Sequence, residues 1–154
     1  MDERIDRVKN IRHFLLEQVG HLMPEQMNEI PAGFNNNIAW NLAHLVASQQ
    51  AMCYLRSGLS PVVEGTFISR YASGTKPEDP VDRNGLEEIK KLSFSTIDRL
   101  DEDYRQGLFK EYEVRHTRYG VTLHNIEDVL QFLLFHEGFH LAAVMTLKRF
   151  IKQG

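Results

Sequence analysis

Residues 125–150 read NIEDVLQFLLFHEGFHLAAVMTLKRF. Val129, Phe132, Leu133, His136, His140, Ala143 and Leu147 recur at helical spacing and share one face. Asn125 or Thr122 can cap the start. Glu127 and Asp128 suit the positive end of a helix dipole, and Lys148, Arg149 and Lys152 suit the other. This predicts a helix from about Asn125 to Lys152, with His136 and His140 one turn apart and facing the core. A buried imidazole without a partner costs about a few kcal/mol. Two stacked on an apolar face are placed to share one metal ion.

The string His136-Glu137-Gly138-Phe139-His140 also matches HExxH, the zinc-protease signature. That pattern supplies two ligands, and a catalytic zinc site usually takes three. Only Leu141–Gly154 follows, and it contains no Asp, Glu, His or Cys. The extended protease form needs a histidine at position 146, where Thr146 stands. A third ligand must then come from upstream. The best candidate is His44, inside the apolar stretch IAWNLAHL at 38–45. Helices packed at roughly 8–10 Å bring inward side chains together. His44 therefore has two readings, a third ligand or a core histidine bonded to a carbonyl. Glu137 lies about 100° round the helix from His136. It is either a base beside the metal or a polar residue that pairs helices.

The other histidines compete poorly. His124 lies too far before His136 along the helix, His13 is off the apolar stripe, His21 is near the end of its helix, and His116 sits in a polar turn. Cys53 falls about half a turn away from His44 and reads as a packed thiol.

The rest of the chain supplies three more helices. Residues 3–22 place Ile5, Val8, Ile11, Leu15, Val19 and Leu22 on one stripe, and Met23-Pro24 stops it. Residues 24–36, with Pro24, Pro31 and Gly33, form a connector of roughly 40 Å extended reach. It can run the length of a bundle, so the first two helices need not be antiparallel. Asn35, Asn36 and Asn37 offer caps for a second helix from Ile38 to Arg56, closed by Ser57-Gly58. Its wide apolar arc predicts burial on more than one side. Residues 59–83 carry Pro61, Pro77, Pro80, Gly65 and Gly74 and read as a crossover over one end of the bundle. A third helix runs from Asn84 to Tyr104, with Leu86, Ile89, Ile97 and Leu100 inward. Residues 111–123 lose the helical period and suggest an extended segment, a turn at Gly120 and a return. The fold class is all-α, a four-helix bundle with long connections.

Size and composition narrow the function. The 154 residues make one domain, residues 1–154, with 42% hydrophobic and 25% charged residues. The 18 basic and 21 acidic residues are mixed along the chain, with net charge −3. No basic block points to nucleic acid. No run approaches the roughly 18 apolar residues of a membrane span. The charged start MDERIDRVKN is not a signal peptide, and one cysteine allows no internal disulfide, so a cytoplasmic setting is expected.

With FNNNIAWNLAHLV at 34–46, RHTRYGVTLHNIEDVLQFLLFHEGFHLAAVMTLKRF at 115–150 and the long crossover in place, the sequence resembles the DinB-like superfamily of metal-binding four-helix bundles. The resemblance spans nearly the whole chain. It implies a metal triad of His44, His136 and His140, a fold with long crossovers, and a homodimer. It also implies a divalent metal ion, with zinc, nickel, copper, manganese and iron all compatible with nitrogen ligands. Relatives include thiol transferases using bacillithiol or mycothiol and a mycothiol-dependent isomerase. The expected function is metal-dependent transfer of a low-molecular-weight thiol to a small electrophile. The alternative is a non-catalytic, metal-stabilised dimer with a binding or stress-response role. No catalytic residue is assigned. One departure stands out: many relatives carry Gln or Asn shortly after the last histidine, where Ala142 and Ala143 stand here.

Overall fold

In the computed structural model, which describes residues 1–152, four long helices carry the chain. They are α1 (Glu3–Val19), α3 (Ile38–Cys53), α5 (Arg83–Arg105) and α6 (Ile126–Phe150). Two short helices lie in the connections, α2 (Pro24–Asn28) and α4 (Gly65–Arg70), and a hairpin pairs β1 (Arg115–His116) with β2 (Thr122–Leu123). Each long helix starts on a side-chain cap. Asp2, Asn37, Asp82 and Asn125 accept hydrogen bonds from the backbone N–H of Arg4, Trp40, Gly85 and Asp128. The all-α expectation holds, as does the hairpin expected near Gly120, which sits at φ 76° in its turn.

The long helices form a ring in which α1 and α3 each pack against both α5 and α6. Side-chain pairs give the directions. Arg4 meets Glu127 and Arg12 meets Glu137, so α1 and α6 are parallel. Lys9 meets Asp98 and Arg12 meets Ser93, so α1 and α5 are antiparallel. Met52 packs with Val129 and Leu130 while Trp40 packs with Val144 and Leu147, so α3 opposes α6. Tyr54 donates to Asp103 while Ala39 shares a cluster with Leu86, so α3 and α5 are parallel. The first link therefore stays at one end and crosses the ring to an antiparallel helix. Only the 54–82 link travels the bundle's length.

Several expectations need correction. The first helix ends at Val19 with Gly20 as its cap, and Pro24 opens α2 because proline suits the first helical position. The second ends at Cys53, and Leu55–Ser57 tightens into a 3-10 turn before Gly58 in the left-handed region. The crossover does not cap an end. Val62 bonds to Gln50, Ile68 packs on Val46, Tyr71 meets His44 and Thr75 meets Trp40, so it descends along α3. One 18-residue window of α6 has mean hydropathy 1.3, so by length and composition this helix matches a membrane span, contrary to the reading of run lengths. The physical reason is its position: α1 and α3 flank it on two sides, so most of its circumference is apolar.

The core is split. One apolar cluster holds Leu15, Val19, Leu42, Leu86, Val144 and Leu147. The other holds Ile5, Val8, Ile97, Leu100, Val129 and Leu133. Between them, at mid-height, lies a layer of buried polar side chains: Arg12 on α1, His44 on α3, Ser93 and Thr96 on α5, and His136, Glu137 and His140 on α6. The sequence reading put Ile11 on the stripe of α1. The structure buries Arg12 there instead, 1% exposed.

Candidate metal centre

The polar layer has two parts, and α6 divides them. Towards α3, His44, His136 and His140 converge. Their ring centroids lie 4.5 to 5.2 Å apart, and one donor atom from each falls within 4.8 Å of the others. All three are buried. Helix periodicity delivers two of them, and the antiparallel packing of α3 on α6 delivers the third.

Each ring is held differently. His44 Nδ1 lies 2.7 Å from the Tyr71 carbonyl oxygen, so Nδ1–H donates there and Nε2 carries the lone pair, which in the metal-free site accepts from the Ser48 hydroxyl. Trp40 lies parallel to the His44 ring, with centroids 4.6 Å apart and planes 10° from parallel. His140 Nδ1 lies 2.8 Å from Asn41 Oδ1. The Asn41 amide is itself oriented, because its Nδ2 donates to the Asn37 carbonyl and to Asn36 Oδ1. Asn41 thus presents an acceptor, His140 Nδ1–H donates, and Nε2 is left free. His136 has no such brace: its Nδ1 is buried without a hydrogen-bond partner among the described residues. Ser48 Oγ lies 3.1 Å from His44 Nε2.

Electrostatics keep the rings neutral. Burial pulls the His136 pKa down to about 2, and the neighbouring His140 and His44 push the same way. Burial and His44 pull His140 down to about 3. Burial lowers His44 as well. Neutral imidazole is the form that ligates. An orphaned buried nitrogen, two fixed tautomers and three lone pairs in one place fit a metal ion. Three close histidines here could hold one.

The triad opens into a cleft of about 380 Å³. Its walls come from α3, α6, the Ser73–Thr75 turn of the crossover, and the hairpin residues 115–119. The crossover thus supplies one part of the wall. The hairpin's role was not anticipated. No Asp or Glu lines the cleft.

On the other side of α6, Glu137 is 0% exposed and points at α1. Arg12 Nε and Nη2 donate to its Oε1 at 3.0 and 2.7 Å. Arg12 also donates to the carbonyls of Ser93 and Leu45. Burial pushes the Glu137 carboxyl pKa upward, and the neighbouring Arg12 guanidinium opposes that. Of the two roles open for Glu137, the helix-pairing one matches this geometry. The glutamate of HExxH is therefore not beside the triad, and the protease reading loses its base.

The remaining candidates fall where expected. His13, His21, His116 and His124 are exposed. His116, however, is in β1 on the cleft wall rather than in a turn, with Nδ1 3.1 Å from Thr122 Oγ1. Cys53 is wholly buried in the apolar cluster, its thiol pushed up to about 12 by burial, and it is absent from the triad. Sequence reasoning missed Arg12, although the spacing of Ile5, Val8, Leu15 and Val19 points to position 12 as inward.

No curated protein is found that matches the chain. The family profile described as the DinB superfamily matches residues 8–144, which include all three histidines. DinB-like proteins bind metals, and a three-histidine group in a four-helix bundle with one lengthwise crossover agrees with that profile; the chain belongs to the DinB superfamily.

Proposed function

We propose that the protein is a metal-dependent S-transferase that joins a low-molecular-weight thiol to a small electrophile. The observation that carries this reading is the triad itself: three neutral imidazoles with lone pairs aimed into an open cleft. A divalent ion held by His44, His136 and His140 would supply the Lewis acidity that favours thiolate over thiol. Tyr71 and Asn41 fix the rings of His44 and His140 in the tautomer that leaves Nε2 free. Trp40, Tyr119, Phe132 and Phe139 give the cleft an apolar wall for the carbon skeleton of the electrophile. The thiol proton leaves to solvent, sulfur bonds to the electrophilic carbon, and the leaving group departs with its electron pair.

The test uses protein purified without a histidine tag and reconstituted with zinc, nickel, manganese or iron. Conjugation of chlorodinitrobenzene is measured with bacillithiol, mycothiol and glutathione. A metal-dependent rate with at least one thiol, lost in His44→Ala, is the expected result. No rate with any metal and thiol would refute the reading.

A second reading has its own support. No carboxylate base stands in the cleft, and Phe135 and Phe139 are exposed on α6. A non-catalytic, metal-stabilised bundle that dimerises would need no base. Under it, chelation lowers the melting temperature while no thiol chemistry is found; saturation at 100 times Kd stabilises by about 2.7 kcal/mol.

A further inference from the structure

We propose that Arg115 and Arg118, on the hairpin beside the triad, form an anion-binding subsite that selects a carboxylate-bearing thiol. The inference rests on the thiol-transfer reading of the same cleft and adds the chemical class of its co-substrate.

The chain as a whole carries a net charge of −3. The cleft does not follow it: two arginines and the triad line it, and no carboxylate does. Arg115 is half-buried in β1, where its backbone pairs with Leu123, and its side chain makes no hydrogen bond or ion pair among the described residues. Glu113, two residues before it, is already held by Arg56. Arg118 lies over the Tyr119 ring, 5.1 Å from its centroid, and donates to the Tyr119 hydroxyl. That stacking holds its guanidinium on the cleft wall while leaving donors unused. Like-signed charge on one wall of a cleft concentrates anions inside it. A guanidinium offers a carboxylate two parallel N–H donors. A ligand with sulfur at the triad and carboxylates at the hairpin would use both features, and the same positive field favours its thiolate.

Two probes separate the features: mercaptosuccinate, which carries carboxylates, and 2-mercaptoethanol, which does not. Cobalt-loaded protein is titrated with each, and the sulfur-to-cobalt charge-transfer absorption is read. Mercaptosuccinate is expected to bind about 100-fold tighter, tenfold for each charge-assisted pair. In Arg115→Gln/Arg118→Gln that ratio collapses, and in the double lysine variant it is partly kept. A ratio near one in the wild type overturns the subsite while leaving thiol binding standing. So does a ratio that the glutamine variant does not change, because the preference then comes from the metal alone. If the protein takes up no cobalt, the thiol titration has no readout. Calorimetry of metal-free protein with succinate then decides the subsite: binding lost in the glutamine variant upholds it, and no binding overturns it.

Discussion

His136 and Glu137 are consecutive on α6 and both buried, yet the fold treats them differently. His136 faces α3 and the cleft, and its Nδ1 meets no partner. Glu137 faces α1, and Arg12 gives it two N–H donors while binding backbone carbonyls on α3 and α5. On one side of the helix the protein answers one oxygen of a buried carboxylate with its own atoms, Arg12 on Oε1, while Oε2 meets no partner among the described residues. On the other it gathers three imidazoles and leaves His136 Nδ1 without a partner among the described residues. The difference separates a half tied together by the chain's own ion pair from a half whose three close histidines could hold a metal ion.

The largest effect should come from the structural half. Arg12→Ala leaves a buried carboxylate without its counter-charge, and denaturant unfolding should show a loss of about 3–5 kcal/mol. Replacing both partners, as in Arg12→Met/Glu137→Leu, should recover most of it, since an apolar pair of similar volume is close to neutral. A single variant no worse than the double would break the comparison.

The triad should respond to pH in its metal-free form. The folded pKa values of His136 and His140 lie well below the ordinary 6.5. The unfolded chain therefore binds more protons below that value, and stability falls as pH drops through it. The slope reaches about 1.4 kcal/mol per pH unit for each imidazole kept neutral. Thermal melts of chelator-treated protein between pH 7 and 5 measure it. A flat profile there would mean that the rings accept protons without cost and are not reserved as bases.

A smaller change tests the boundary between the halves. Asn41→Leu removes the acceptor for His140 Nδ1–H without touching a nitrogen that faces the other rings. Metal affinity, measured by competition with a coloured chelator, should fall about 10- to 100-fold while stability changes little. An equal loss in the metal-free fold would make Asn41 a structural residue like Arg12.

Much of this was legible in the sequence because it is local. Caps, helical stripes and the His136–His140 spacing depend on residues within a turn of one another. His44 could be reached by elimination, since no ligand follows His140. What escaped depends on where distant segments meet. Nothing within residues 111–123 says that their hairpin lies beside the triad, so Arg115 and Arg118 carry no signal there. The path of the crossover along α3 is likewise set by contacts such as Tyr71 with His44. Arg12 was a different kind of miss. The three-four spacing of α1 points to position 12, but an arginine there conflicts with the expectation of an apolar core, and Ile11 was the nearer hydrophobic choice.

The polar layer between the two apolar clusters has a consequence for assembly of the bundle. Leucine and valine contacts tolerate a helix sliding by one turn, about 5.4 Å, because one aliphatic side chain fills much the same hole as another. A polar layer does not tolerate it. Slid by a turn, α1 would strand Arg12 against aliphatic side chains and leave Glu137 alone. The layer acts as an alignment key, admitting one register of four helices and penalising neighbouring ones. A site that takes two nitrogens from one helix and one from another needs that alignment before any ligand arrives.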